Sequence, residues 1–231
     1  AQAGLDVVLV EKDTHPRFHI GESLLPHSLP VLERLGVIDA VRKIGVYKPG
    51  AEFVSADGTK NPIFLFARAL RPGPDHAYQV RRATFDQILF ERARAVGVRA
   101  HDGATATIER CDDAGGSVSV RFGDGTMQTF EADLLVDASG RTALTARMHA
   151  EQSADRKHNT AAIFAHFRGV PAFAGERGGN IRIHLTDPGW MWQIPLTDGV
   201  TSIGLVMPGD RIARREGTVE AFFDNHAARN P

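Results

Sequence analysis

The segment DVVLV, residues 6–10, ends in four apolar residues, three of them β-branched, and runs into Glu11. A strand with one wet face alternates polar and apolar residues; a run that is apolar at every position has two faces to cover. That condition is met in a parallel sheet flanked by helices, so this segment steers the chain toward an α/β fold. The segment DLLVDASGR, residues 133–141, repeats the pattern and leads into Gly140. Before the first run, AQAGL reads as the last turn of a helix with Gly4 in the left-handed cap position. Between the runs, apolar spacing over residues 24–44 predicts two helical pieces broken at Gly36. A longer helix is predicted from TFDQILFERARAVG, with Thr84 as N-cap and Gly97 as its end; Phe85, Ile88, Leu89 and Ala93 share one face.

The remaining segments read as strands. Residues 51–59 and 61–67 suit a hairpin turning at Asp57-Gly58, and residues 104–109, 117–122 and 127–131 follow, the last two joined at Asp124-Gly125. After residue 150 the character changes to strands at hairpin spacing, near residues 161–168, 180–185, 190–195 and 201–207, with a helix over 218–228. The expected organisation is an α/β domain over residues 1–155 and a mostly antiparallel β-sheet region over 156–231.

Composition narrows the function classes. A net charge of −1 with scattered Lys and Arg gives no basic surface for nucleic acid, and no apolar run approaches the length that spans a bilayer. The single cysteine, Cys111, excludes an internal disulfide, so a reducing cytoplasm is the default compartment. The chain lacks an initiator Met, and its start is expected to be missing.

Several residues admit two readings. Glu11, at a strand end, is either a solvated acid or the ribose acceptor of a dinucleotide-binding unit, about 20 residues after the first Gly of G-x-G-x-x-G. Asp137 with Gly140 either caps a strand-to-helix turn or holds a ligand against open backbone. Gly21-Glu22-Ser23 either caps the following helix or lets a cofactor ring lie on bare backbone. Lys48, before Pro49, is either a solvated charge or a desolvated catalytic amine. His15 and His19 are four apart, but Pro16 and the turn context argue against a metal pair, and no metal site is expected. Trp190 and Trp192, the only two tryptophans, share a strand face, with Met191 and Gln193 opposite and Pro195 limiting the strand. They either fill a core or wall a reaction chamber.

Taken in order, DVVLVEK, PRFHIGESLLP, RRATFDQILFERARAVGV, DLLVDASGR and GWMWQIPL resemble the flavin-dependent halogenases, within the glutathione-reductase-type flavoproteins that also include aromatic hydroxylases. W-x-W-x-I-P, residues 190–195, is the family's distinguishing mark. GESLLP is closer to the phenol- and pyrrole-type branch, which includes carrier-tethered substrates, than to the free-tryptophan enzymes. The resemblance implies a glutathione-reductase-type FAD-binding α/β fold with a parallel sheet, plus a mostly antiparallel substrate-side layer. It implies FAD, used as FADH2 from a separate flavin reductase, held by Glu11, by Arg81 or Arg82, and by Asp137 with Gly140. Gly21, Glu22 and Ser23 would border the flavin, and Trp190, Trp192, Ile194 and Pro195 would line the tunnel side and keep organic substrate from the flavin. Lys48 would be the catalytic lysine that receives hypohalous acid and presents the halogen. The implied partners are halide ion and an electron-rich aromatic, free or carrier-bound, with no nucleic acid or membrane.

The phosphate-binding loop would lie before Ala1; the second FAD motif and a glutamate partner of the lysine would lie after Pro231. This polypeptide by itself is therefore expected neither to hold FAD tightly nor to turn over. Two other readings stand: a flavin monooxygenase or dehydrogenase that keeps the tryptophan motif, and a non-catalytic flavin-fold remnant.

Overall fold

The computed structural model describes all residues except 149–158, 172, 174, 230, 231 and the side chain at 176. The chain divides into two compact units, each assembled from two stretches: Ala1–Arg17 with Leu89–Asp155, and Phe18–Ile88 with Arg156–Pro231. The boundary expected near residue 155 lies outside the described residues. The crossings at 17/18 and 88/89 coincide with no shift in composition.

In the first unit, Val8–Val10 pairs in parallel with Arg99–His101, Val8 opposite Arg99. All three residues of the Val8–Val10 strand are half-buried rather than enclosed on both faces. AQAGL forms a single turn, closed by the Gly4 amide on the Ala1 carbonyl, and Gly4 takes the left-handed conformation expected of it, with a φ of +80°. Thr105–Asp112, Gly115–Arg121 and Met127–Ala132 form an antiparallel three-stranded sheet, as their alternation predicts.

The segment 133–141 departs from its expected form. It pairs with no strand among the described residues, and Leu134 and Val136 are 76% and 78% exposed. An apolar run becomes a buried strand only where a neighbouring strand offers a ladder. Here the Asp137 carboxylate gathers backbone amides ahead of it, and the chain curls into a short turn at Gly140–Thr142.

The second unit is built on a six-stranded sheet. Thr160–Arg168 pairs with Val200–Pro208, which pairs with Gly189–Pro195, which pairs with Ile181–Thr186, all antiparallel. Ile181–Thr186 then lies parallel to Gly50–Val54, whose other neighbour is Ile63–Leu65. The antiparallel layer predicted after residue 156 thus gains two strands from residues 50–65 and one parallel pairing. Helices Leu29–Leu35 and Ile38–Ile44 flank Gly36, whose φ of +73° is left-handed and ends the first helix where expected.

Residues directly opposite in adjacent strands share a face. Met191, Leu205 and Met207 bury one face with Phe223 of the helix Val219–Ala227. Trp192, Ile194 and Val200 bury the other with Leu196. Thr218 caps that helix by accepting the Ala221 amide at 3.2 Å. Thr218→Ala is expected to lower unfolding free energy by about 1 kcal/mol, read as a lower denaturant midpoint at unchanged slope, with Thr218→Ser close to wild type.

The helix predicted from Phe85 runs instead over Arg82–Ala95, because the Arg81 carbonyl already accepts the Phe85 amide and places Thr84 inside the first turn.

Candidate active site

Lys48 ends the short strand Val46–Lys48, which pairs with Ala77–Gln79, and the following Pro49 stops the strand there. It is 2% exposed, among the largest fully buried side chains of the described residues. Its Nζ donates to the Ser23 hydroxyl at 2.8 Å and to the Leu24 carbonyl at 2.9 Å, and it stands 5.2 Å from the Phe66 ring centroid. Burial removes water from the ammonium and pulls its pKa down from 10.5 to about 8. The reading as a solvated surface charge is excluded.

The two acceptors come from the Gly21-Glu22-Ser23 corner. Ser23 bridges to Gln79, the Val80 amide donates to the Glu22 carbonyl, and the Leu24 amide donates to the Tyr78 carbonyl, so the corner is pinned along one edge strand. Gly21 has a φ of +97°, and a Cβ there would come within 2.8 Å of Arg82 Nη1. The left-handed φ calls for glycine, whereas the Cβ would meet only the far end of the Arg82 side chain. Arg82 spends its guanidinium locally, donating to the Ile20 carbonyl at 2.7 Å and in bidentate fashion to Asp86 at 2.7 and 3.0 Å. Among the described residues Arg81 makes no such side-chain bond, so of the two neighbours it is the one free to meet a ligand.

The tryptophans resolve into two environments. Trp192 is 8% exposed and donates from Nε1 to the Ser202 hydroxyl at 3.1 Å; a Cβ at the opposing Gly204 would collide with its indole. Trp190 remains 37% exposed, its ring centroid 5.9 Å from that of Trp192. Phe164 lies 6.1 Å from Trp192 on the other side and stacks on Phe18 at 5.8 Å. The result is an aromatic row on one sheet face, packed in the middle and open at both ends. Ile194 is buried beneath it, and Pro195 ends the ladder opposite Thr201.

His166, which no motif marked, stands on this same face. Its Nε2 lies 2.7 Å from Oε1 of Glu22, a carboxylate 2% exposed. The only sequence signal for it is the alternation in FAHF, which aligns His166 with Phe164; nothing local announces a partner 144 positions away. A second missed cluster lies on the opposite face. There the fully buried Glu52 accepts from Arg182 Nε and Nη2 at 3.2 and 2.9 Å and from Asn180 at 3.4 Å, and the guanidinium sits 3.5 Å over the Phe173 ring. A cavity of about 320 Å³ borders Arg182, His184, Met191 and Gln193 on that side. Burial, followed by the charge of Arg182, lowers the pKa of His184 from 6.5.

In the first unit, Glu11 accepts the Asp13 amide at 3.0 Å and Arg17 at 3.4 Å. Each of its oxygens keeps a lone pair for a further donor. Asp137 accepts the Ser139 amide and, on its other oxygen, the Thr145 amide and hydroxyl. These bonds, from the Ser139 and Thr145 donors, hold its carboxyl far below the usual range. Its visible work is to shape the turn that carries Gly140, which has a φ of +59° and open space where a Cβ would project. His15 stacks on Phe90 at 4.6 Å, whereas the His19 ring bonds the Ile20 carbonyl. No cluster with metal-ligand composition occurs among the described residues, and no helix among them is long and apolar enough to cross a membrane.

A buried lysine with lowered basicity, anchored by a glycine corner in a unit that also carries paired indoles, is the candidate reactive centre of this chain. Residues 67–229 match the tryptophan halogenase family model, and the chain belongs to that family. It is 33% identical over 229 residues to the flavin-dependent halogenase armH3 of Armillaria mellea, covering 94% of this chain and 44% of that protein. It is 30% identical to the 1H-pyrrole-2-carbonyl-(peptidyl-carrier protein) chlorinase of Pseudomonas fluorescens, covering 96% of this chain and 55% of that one. The structure of the myxobacterial chondrochloren halogenase CndH, described as a new variant of FAD-dependent halogenases, superposes with a TM-score of 0.89 at 29% identity. That match covers 99% of this chain and 53% of CndH. The chain spans about half the length of the curated relatives it matches.

Proposed function

We propose that the complete protein is an FAD-dependent halogenase, using FADH2 supplied by a separate flavin reductase, O2 and halide to chlorinate or brominate an electron-rich aromatic or heteroaromatic, free or carrier-bound. The observation that carries this reading is Lys48: an amine taken out of water, held at two points and lowered to a pKa of about 8. Family membership and the names of the relatives support it.

Each unit by itself carries residues of a kind that suits part of a flavin dinucleotide. In the first, Glu11 offers spare acceptor capacity for a ribose and Gly140 offers backbone without a side chain; in the second, Arg81 offers an uncommitted guanidinium and Gly21 bare backbone. When bound, FAD supplies the redox chemistry that generates electrophilic halogen. The chain's own residues then place it. An ammonium has three N–H donors; Ser23 and Leu24 take two from Lys48 and leave the third for the oxygen of hypohalous acid. With a pKa of about 8, about one amine in ten is neutral at pH 7 and open to halogenation. Trp190 and Trp192 act by exclusion, keeping organic substrate on the lysine side.

The test is product analysis. The complete protein, given FADH2, O2, chloride or bromide, and a panel of phenols and free or carrier-tethered pyrroles, is expected to yield halogenated rings. Hydroxylated products without halogenated ones, or a protein that binds no FAD, would overturn the proposal.

A further inference from the structure

The lysine anchor does not stand alone. Ser23 and Leu24, which hold Lys48, directly follow Glu22, and the Glu22 side chain points the other way, to His166 on the six-stranded sheet. In the tautomer with its proton on Nε2, His166 donates to the Glu22 carboxyl oxygen. Glu22 is nine-tenths or more buried, and among the described residues His166 is its one side-chain partner. Ladder partners extend the connection. His166 lies opposite Ser202, and Ser202 accepts the Trp192 indole N–H at 3.1 Å. One contact therefore ties the aromatic face of the sheet to the corner that grips the amine, His166 to Glu22, while the Trp192–Ser202 bond holds neighbouring strands of that face together.

We propose that His166 is the positioning residue for Lys48: by donating to buried Glu22 it fixes the Gly21-Glu22-Ser23 corner, and thereby the Ser23 hydroxyl and Leu24 carbonyl that aim Nζ. His166 touches neither Lys48 nor substrate in this role. It acts on the orientation of the amine rather than on substrate binding. Losing a hydrogen bond to a buried polar group is costly, because Glu22 is left without that partner.

The inference rests on the proposed role of Lys48, and the test separates the two. In the complete protein, His166→Leu is expected to lower kcat for halogenation about tenfold while KM for the aromatic stays within about twofold. His166→Gln, whose amide nitrogen reaches the Nε2 position, is expected to recover most of kcat, and the shorter His166→Asn is not. Should the leucine variant fail to fold, the glutamine–asparagine contrast carries the same decision. A second readout needs no turnover: the rate at which an N-hydroxysuccinimide ester acylates Lys48, followed by peptide mass spectrometry. It is expected to rise several-fold in His166→Leu and His166→Asn and to match wild type in His166→Gln. Wild-type kcat and wild-type acylation in His166→Leu would overturn the proposal, as would equal losses in the glutamine and asparagine variants. If the wild-type protein only hydroxylates, the halogenase reading falls while the acylation series still decides the role of His166.

Discussion

Replacing Lys48 by methionine is expected to abolish halogenation and to make the protein more stable near pH 7. On the proposed role of Lys48, the substitution removes the group that would hold or carry the halogen; deletion of a preorganised donor costs at least about a hundredfold in rate, while oxidation of reduced flavin is expected to continue. The stability gain follows from the lowered pKa. A lysine at about 8 when folded and near 10.5 when exposed binds fewer protons folded than unfolded in the interval between those values, so stability rises with pH across it. Below pH 8 both states are protonated, and the full burial penalty is present. At 1.36 kcal/mol per unit, that penalty is about 3 kcal/mol, of which the two bonds to Ser23 and Leu24, lost in methionine, offset about half. Denaturant titration is expected to find Lys48→Met more stable by about 1–2 kcal/mol at pH 7, the difference shrinking toward pH 10. A difference that does not change with pH would show that desolvation of the amine is not its source. A site that costs stability to hold a reactive group is a common arrangement in enzymes.

Much of the fold was legible, because strand alternation and helix caps are local. The break at Gly36, the Asp57-Gly58 hairpin and the four late strands lie where their patterns place them. What was not legible is long-range. The apolar run at 133–137 has the composition of a buried strand, yet composition does not say whether a neighbouring strand stands beside it. The parallel pairing of Ile181–Thr186 with Gly50–Val54 joins segments more than a hundred residues apart, and no local signal reports such a pairing. The site divides the same way. Family-like motifs pointed to Lys48, the glycine corner and the tryptophans, but burial of Lys48 and the division of labour between Arg81 and Arg82 depend on surroundings. Glu52, Arg182 and His166 carried no motif, since each gains its role from a partner far away in the chain.

Glu52 shows what such a partner is worth. It has no exposed surface, and it lies opposite Arg182 in the one parallel pairing of the six-stranded sheet, so the ion pair sits on the seam between residues 50–65 and the late strands. Two charges buried together need not stabilise relative to apolar residues of the same shape, because desolvation consumes most of their attraction. Removing one member is different, since the other is left buried and unpaired. Glu52→Leu is therefore expected to lower unfolding free energy by about 3–5 kcal/mol, with Arg182 and the Asn180 amide both losing their acceptor. Arg182→Met alone is expected to cost a similar amount, as it strands the more deeply buried charge. The double variant Glu52→Leu with Arg182→Met is expected to recover most of the loss, because neither charge remains. Chemical denaturation of the four proteins measures this as a coupling energy. Additive losses would mean that the two side chains stabilise the seam independently, through packing and the stacking of Arg182 on Phe173, rather than as a pair.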